Sequence, residues 1–297
     1  MIKTSMNNHR FPNTDLLQRY SSDCGLFGPT SYRWNQFAYI SRRLALLSAS
    51  ILQVTHPVIG QAVSQTNLYK TQPMSRTLAI IRFLDNLIYG RTETWIGACE
   101  KLWNLHQQIK IQYDGKTYYA TEPKLLRWVW LTTVVMEMQF MPMCVELTEY
   151  NVDKIYEEYK LIALACGILP SDIPDSLMEM ERIYHDFLNT EIKVTDTART
   201  IAQAVFHLPS SATAELTSKQ WTEQLYFLLG PLDYYCHLFA KALLPEQIRT
   251  ALQVTYTKEE HQRFKRWCRR LQWFNKTMPA RITKSETNLN AMAGDLL

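Results

Sequence analysis

The stretch LALLSASILQVTHPVIGQAV (44–63), followed by PMSRTLAIIRFLDNLIYG (73–90) and TETWIGACEKLWNLHQQIKI (92–111), decides how this chain is read. Apolar residues recur at helical spacing in each segment, which predicts three successive helices. On those helices His56, Arg76 and His106 fall on apolar faces. A histidine or a guanidinium in an apolar interior needs a partner, because buried polar and charged groups are costly alone. A haem supplies both, iron for an imidazole and propionates for a guanidinium. Taken singly, His56 and His106 also fit as core histidines with satisfied hydrogen bonds, and Arg76 as half of an ion pair.

The first helix is rich in small residues (Ala45, Ser48, Ala49, Ser50, Gly60, Ala62), which permit close approach of a neighbour or a flat ligand. Pro57 removes a backbone donor and leaves the Gln53 carbonyl without its usual partner, which predicts a kink at His56. The second helix, opened by Pro73 and Ser75, turns Arg76, Ile80, Phe83 or Leu84, and Leu87 inward and stops at Gly90. The third spaces Trp95, Cys99, Leu102, His106 and Ile109 as an inward stripe.

Beyond them, DGKTYYATEP reads as a turn into the next helix, which runs from Leu125 to Val145 and is apolar nearly all round. It should be the most buried element, so Glu137 within it demands a partner, and Pro142 bends or ends it. An amphipathic helix from Asn151 closes at Gly167, and another passes through Met178, Met180, Ile183, Tyr184 and Phe187. Further helical patterns cover 195–206, 219–229, 233–244 and 258–274.

With 297 residues, 46% hydrophobic and 20% charged, and only nine glycines, the chain reads as globular and all-α, a single multi-helix domain. Its expected organisation is an N-terminal arm over 1–30, poorly ordered or wrapping, a helical domain over 31–277 and a flexible tail over 278–297. None of the six cysteines forms a C-x-x-C pair, which suits reduced core thiols in a cytoplasmic protein. The start MIKTSMNNHRFPNTD has no apolar core of a secretory signal.

Segments 44–63 and 128–145 are apolar enough to raise the question of a membrane span, but each carries polar residues and a proline. They read as buried central helices. The helix over 258–274 is basic and aromatic, with Arg263, Lys265, Arg266, Arg269 and Arg270 among Phe264, Trp267, Leu271 and Trp273. Such a helix is either a solvated surface helix or a peripheral contact with an anionic membrane. A formal charge of +4 does not imply a nucleic-acid partner.

There is no Gly-rich phosphate loop, no G-x-S-x-G and no H-E-x-x-H. Glu181 and His185 are four apart, without a second copy, and so lack the paired Glu-x-x-His of a di-iron bundle. With no C-x-x-C-H, any haem would be non-covalent, of b type.

The order of motifs resembles the MpaB-type oxygenases and latex-clearing proteins. LSASILQVTHPVIGQAV has the shape of the family's apolar helix ending in His-Pro. SRTLAIIRFLDNLIYG matches its arginine helix ending in an aromatic–Gly pair, and LWNLHQQIKI its helix with a lone histidine. YYATEPKLLRWVW and YEEYKLIALACGILPSDIP follow in order, and ALLPEQIRTAL also fits; the main run spans Arg33 to Asn189.

The resemblance implies a globin-like all-α core binding one haem b. His106 falls at the proximal iron ligand, Arg76 at the family's arginine near the haem, with a catalytic part, and His56 at the His-Pro histidine. Latex-clearing proteins carry a Lys–Thr pair after the arginine, where this chain has Ala79 and Ile80. Both departures make the distal side more apolar and remove the lysine cap. The expected activity is oxygenation of a hydrophobic, unsaturated substrate of prenyl or alkenyl type by molecular oxygen, with cleavage of a C=C bond to carbonyl products as one outcome. The rival is a non-catalytic all-α protein that carries or senses haem or lipid.

Overall fold

A prolyl residue at the first position of a helix costs nothing, whereas inside one it removes a hydrogen bond and clashes with the preceding turn. Pro57 resolves that conflict by ending one helix and starting another. In the computed structural model of the protein, α3 (Arg43–Gln53) and α4 (Pro57–Thr66) are separate helices that meet at about 100°. The structure describes residues 11–22, 24–39, 41, 43–66, 75–144, 149–207 and 235–297, with the backbone alone at helical positions 43, 66, 75–77, 144, 149–151, 203–205 and 207. The helical pattern expected over 219–229 lies outside the described residues.

Two short helices, α1 (Thr14–Gln18) and α2 (Tyr32–Phe37), precede this break. After it come α5 (Ser75–Tyr89), α6 (Thr92–Gln108), a hairpin of β1 (Lys110–Tyr113) and β2 (Lys116–Tyr119), then α7 (Pro123–Cys144), α8 (Glu149–Ala165), α9 (Leu177–Thr190) and α10 (Asp196–His207). Helical residues 235–243 form α11, followed by α12 (Glu246–Ala251), α13 (Lys258–Thr277), α14 (Ala280–Thr283) and α15 (Glu286–Met292). The all-α expectation stands, with the hairpin as the addition. Asp114 and Gly115 both take positive φ, 49° and 70°, as a tight type I′ turn requires, so the Asp-Gly pair makes a hairpin where only a turn was expected.

The centre of the fold is α7. Its Trp128, Leu131, Val134, Met136, Phe140 and Met141 are buried, and α3, α9 and α13 pack around it. Pro142 sits inside α7, which continues to Cys144. Helix α8 ends on Gly167 at φ 88°, with the Ile168 and Gly167 amides donating to the Ala163 and Leu164 carbonyls. That is a Schellman close, and a side chain at Gly167 would run into the Trp103 ring.

Both ends of the described chain are held. Phe11 packs edge-on against Trp103, and the Asn13 amide donates to the carbonyls of Leu164 and Ile168 at 2.8 Å, capping α8. The segment after Met278, expected to be a flexible tail, instead packs on the core. The Ser285 amide donates to the Ala38 carbonyl, the Asn288 side chain to the Trp34 carbonyl, and the Arg91 amide to the Leu297 carbonyl. Its polarity misled because the side chains of buried Ser285 and Asn288 are spent on hydrogen bonds rather than on solvent. Among the described residues no single helix is long and apolar enough to cross a membrane.

Candidate functional site

His56 occupies the junction of α3 and α4 and is 4% exposed. The Gln53 carbonyl, orphaned by Pro57, accepts from the His56 amide and from the Trp128 indole, each at 3.3 Å. The Gln53 side chain reaches in turn to the Val129 carbonyl and the Thr133 hydroxyl, tying the bend to α7. The His56 ring is less supported: its Nδ1 is buried with no hydrogen-bond partner among the described residues. Burial lowers its pKa to about 4, with Glu191 pulling it up and Lys124 pulling it down, so the imidazole is neutral at physiological pH.

Trp128 links this bend to an aromatic layer. Its ring stacks on Phe187 at 5.4 Å and on Tyr184 at 6.0 Å between centroids. The Tyr184 hydroxyl is also buried with no hydrogen-bond partner among the described residues, and burial raises its pKa. Outside the layer lies a surface cleft of about 420 Å³, lined by Glu122, Pro123, Lys124, Arg127 and Phe187. Lys124 pairs with Glu191 at 2.8 Å beside it.

His106 lies in the last turn of α6, half-buried, at the end of a stripe whose Trp95 and Cys99 are fully buried. The expected inward series is therefore present, deepest at its start. Immediately after His106 the chain enters β1, which packs along α4, while α5 packs on both α3 and α6. The three segments bearing His56, Arg76 and His106 thus form one packed group. Arg76 lies in the first turn of α5, and its side chain is outside the described part. Of the two positions after it, Ile80 is half-buried and Ala79 exposed, so only Ile80 adds to an apolar inner wall.

A haem needs one protein donor to its iron and an apolar slot, because the porphyrin supplies four ligands itself. Among the described residues no three His, Cys, Asp or Glu side chains gather as a protein-built metal site would require. The chain does offer a buried, neutral imidazole whose Nδ1 has no partner among the described residues, and a second histidine on a neighbouring apolar stripe. That donor chemistry fits a haem.

Sequence reading missed a second polar centre. Arg33, 1% exposed, sets its guanidinium against the Glu137 carboxylate and the Tyr159 hydroxyl, and lies over the Phe37 and Tyr159 rings. Burial opposes the charged guanidinium, but Glu137 and Tyr159 outweigh it and raise its pKa. The Glu158 carboxylate accepts from the Tyr32 and Arg33 amides at the start of α2. An acid in an otherwise apolar helix signalled that a partner existed, but nothing local named one more than a hundred residues away.

The family described as ER-bound oxygenase mpaB/B'/Rubber oxygenase, catalytic domain, matches residues 34–273. The chain belongs to this family, and it is an oxygenase by that membership. No curated protein and no solved structure matches it. Oxygen and an organic substrate are the partners such an enzyme takes.

Proposed function

We propose that the chain is a haem b-dependent oxygenase in which His106 is the proximal iron ligand, Arg76 lies beside the haem and His56 belongs to the pocket wall. The substrate is a hydrophobic, unsaturated molecule, and cleavage of a C=C bond to carbonyls is one outcome open to it. A globin-like arrangement of α3 to α6 goes with this reading. The observation that carries it is His106 itself, half-buried at the end of an apolar stripe in a chain of oxygenase family.

The haem, when bound, supplies the activation of dioxygen. The protein's part is to bind and orient. The imidazole of His106 would hold the group. The guanidinium of Arg76 would pair with a carboxylate of it, and Ile80 would offer an apolar surface to an alkyl chain. His56, held neutral by burial, has a ring nitrogen with no partner among the described residues, able to take a hydrogen bond from, or give one to, whatever enters. A cytoplasmic setting goes with these roles, supported by the buried thiols Cys99 and Cys268; cell fractionation that finds the chain in the secretory pathway overturns that part alone.

Protein expressed with ample haem should purify red, with a Soret band and a pyridine haemochrome of b type. His106→Ala should lose or shift that band and lose oxygen uptake with polyunsaturated or prenylated substrates. Colourless, well-folded protein sinks the cofactor assignment. An unchanged spectrum in His106→Ala sinks the ligand assignment and leaves the cofactor.

A further inference from the structure

Helix α13 presents two stripes. Phe264, Cys268 and Asn275, with Leu271 between them, face the core. On another face Arg266, Arg269, Arg270 and Trp273, spaced i, i+3, i+4 and i+7, line a single shallow surface cleft. Trp273 is 60% exposed, a large apolar ring left in water beside three guanidinium groups. Lys265, Lys276 and Arg281 are exposed nearby, and Ile282 is 49% exposed.

The charge is concentrated here. From His261 to Ser285 the sequence has eight lysines and arginines and no aspartate or glutamate. Set against a total of +4, this leaves the rest of the chain net acidic. Where other surface charges of the described residues pair, as Lys241 does with Glu260 and Lys124 with Glu191, the stripe does not. Lys265, Arg266 and Arg269 have no ion pair among the described residues, and Arg270 lies over the Trp267 ring instead of an acid.

We propose that this face docks the protein on anionic phospholipid bilayers. The apolar side of α13 is already committed to the core, so the helix does not embed. It lies against the headgroups through its cations, with Trp273 and Ile282 reaching the boundary where an indole is most at home. Each basic side chain near an anionic surface strengthens binding about fivefold. A single-stranded nucleic acid would want several exposed rings to stack on, and on this stripe Trp273 alone is well exposed.

Co-sedimentation of the full-length protein with vesicles tests it. Binding is expected to phosphatidylcholine vesicles containing phosphatidylserine or phosphatidylglycerol, to be absent with phosphatidylcholine alone, and to fall steeply with salt. Arg266→Glu/Arg269→Glu should weaken it more than tenfold, the milder Arg266→Gln/Arg269→Gln several-fold, and Trp273→Ala several-fold. Lys101→Glu/Lys116→Glu, a matching charge change elsewhere on the surface, should leave it within about twofold. Equal loss in that control, equal binding to neutral vesicles, or tighter binding to a short single-stranded RNA than to anionic vesicles overturns the proposal.

Discussion

Arg33 and His56 are both withdrawn from solvent within one core, yet their surroundings treat them in opposite ways. Around Arg33 the chain has assembled a carboxylate, a phenol and two aromatic faces, so the charge is neutralised where it stands. Around His56 the backbone is served while the ring nitrogen Nδ1 finds no hydrogen-bond partner among the described residues, and burial keeps the ring neutral. A polar group whose partners are built into the fold serves the fold. One left without a partner at a break between two helices, in a chain of oxygenase family, is a group the fold can spare for a ligand. The two centres therefore answer differently to the same substitution logic.

The largest effect is expected at the paired centre. Glu137→Leu leaves the Arg33 guanidinium buried without its carboxylate and should cost roughly 3–5 kcal/mol of stability. Arg33→Met/Glu137→Leu removes both charges and should recover most of that loss, because no unpaired ion remains. Urea unfolding of the two variants distinguishes the cases. If the double replacement is as damaging as the single one, the pair is not what makes this centre sensitive.

At the unpaired centre the response is to acid. A group whose folded pKa is about 4, against an ordinary value of 6.5, binds its proton later in the folded state than in the unfolded one. Between those two values the unfolded chain holds more protons, so stability rises with pH across the window and is lost as pH falls from 6.5 towards 4. The full effect is about 3 kcal/mol at roughly 1.4 kcal/mol per pH unit. In His56→Leu the slope in that window should flatten, while stability at pH 7 stays within about 1 kcal/mol of the parent, since the ring's Nδ1 has no hydrogen bond to lose among the described residues. Haem retention should weaken in the same variant. A parent whose stability is flat between pH 4 and 6.5 would mean that the imidazole is protonated inside the fold, and the contrast with Arg33 would collapse.

The contrast was half legible in the sequence, and the physics says which half. Helices α3 to α8 follow from periodicity and from Pro57, Gly90 and Gly167, because helix signals are local and the punctuating residues act within one turn. The inward stripe of α6 could be read for the same reason, and with it the position of His106. The demand of Glu137 for a partner could also be read, since an acid in a wholly apolar helix has no cheap solution. Its answer could not, because Arg33 and Tyr159 reach it through tertiary packing that leaves no spacing to recognise. The hairpin was missed although Asp114-Gly115 is a strong turn signal, since the alternation around it covers only four residues on each side. The segment after Met278 was misjudged for a related reason: its anchors are backbone carbonyls of Ala38, Tyr89 and Trp34, which composition does not reveal.

The smallest effect sharpens the comparison most. Tyr184 lies on the same aromatic layer as Trp128, is 3% exposed, and its hydroxyl has no hydrogen-bond partner among the described residues. If that oxygen is unserved, it has been taken out of water with no return. Tyr184→Phe keeps the ring and its stacking while removing the desolvated group, so stability should be unchanged or rise by up to about 1 kcal/mol. Tyr159→Phe, the same chemical change at the paired centre, deletes a hydroxyl bonded to both Arg33 and Glu137 and should cost about 1–3 kcal/mol. Denaturant midpoints read at equal slope compare the two directly. A loss at Tyr184 as large as the loss at Tyr159 would mean that its hydroxyl is bonded after all.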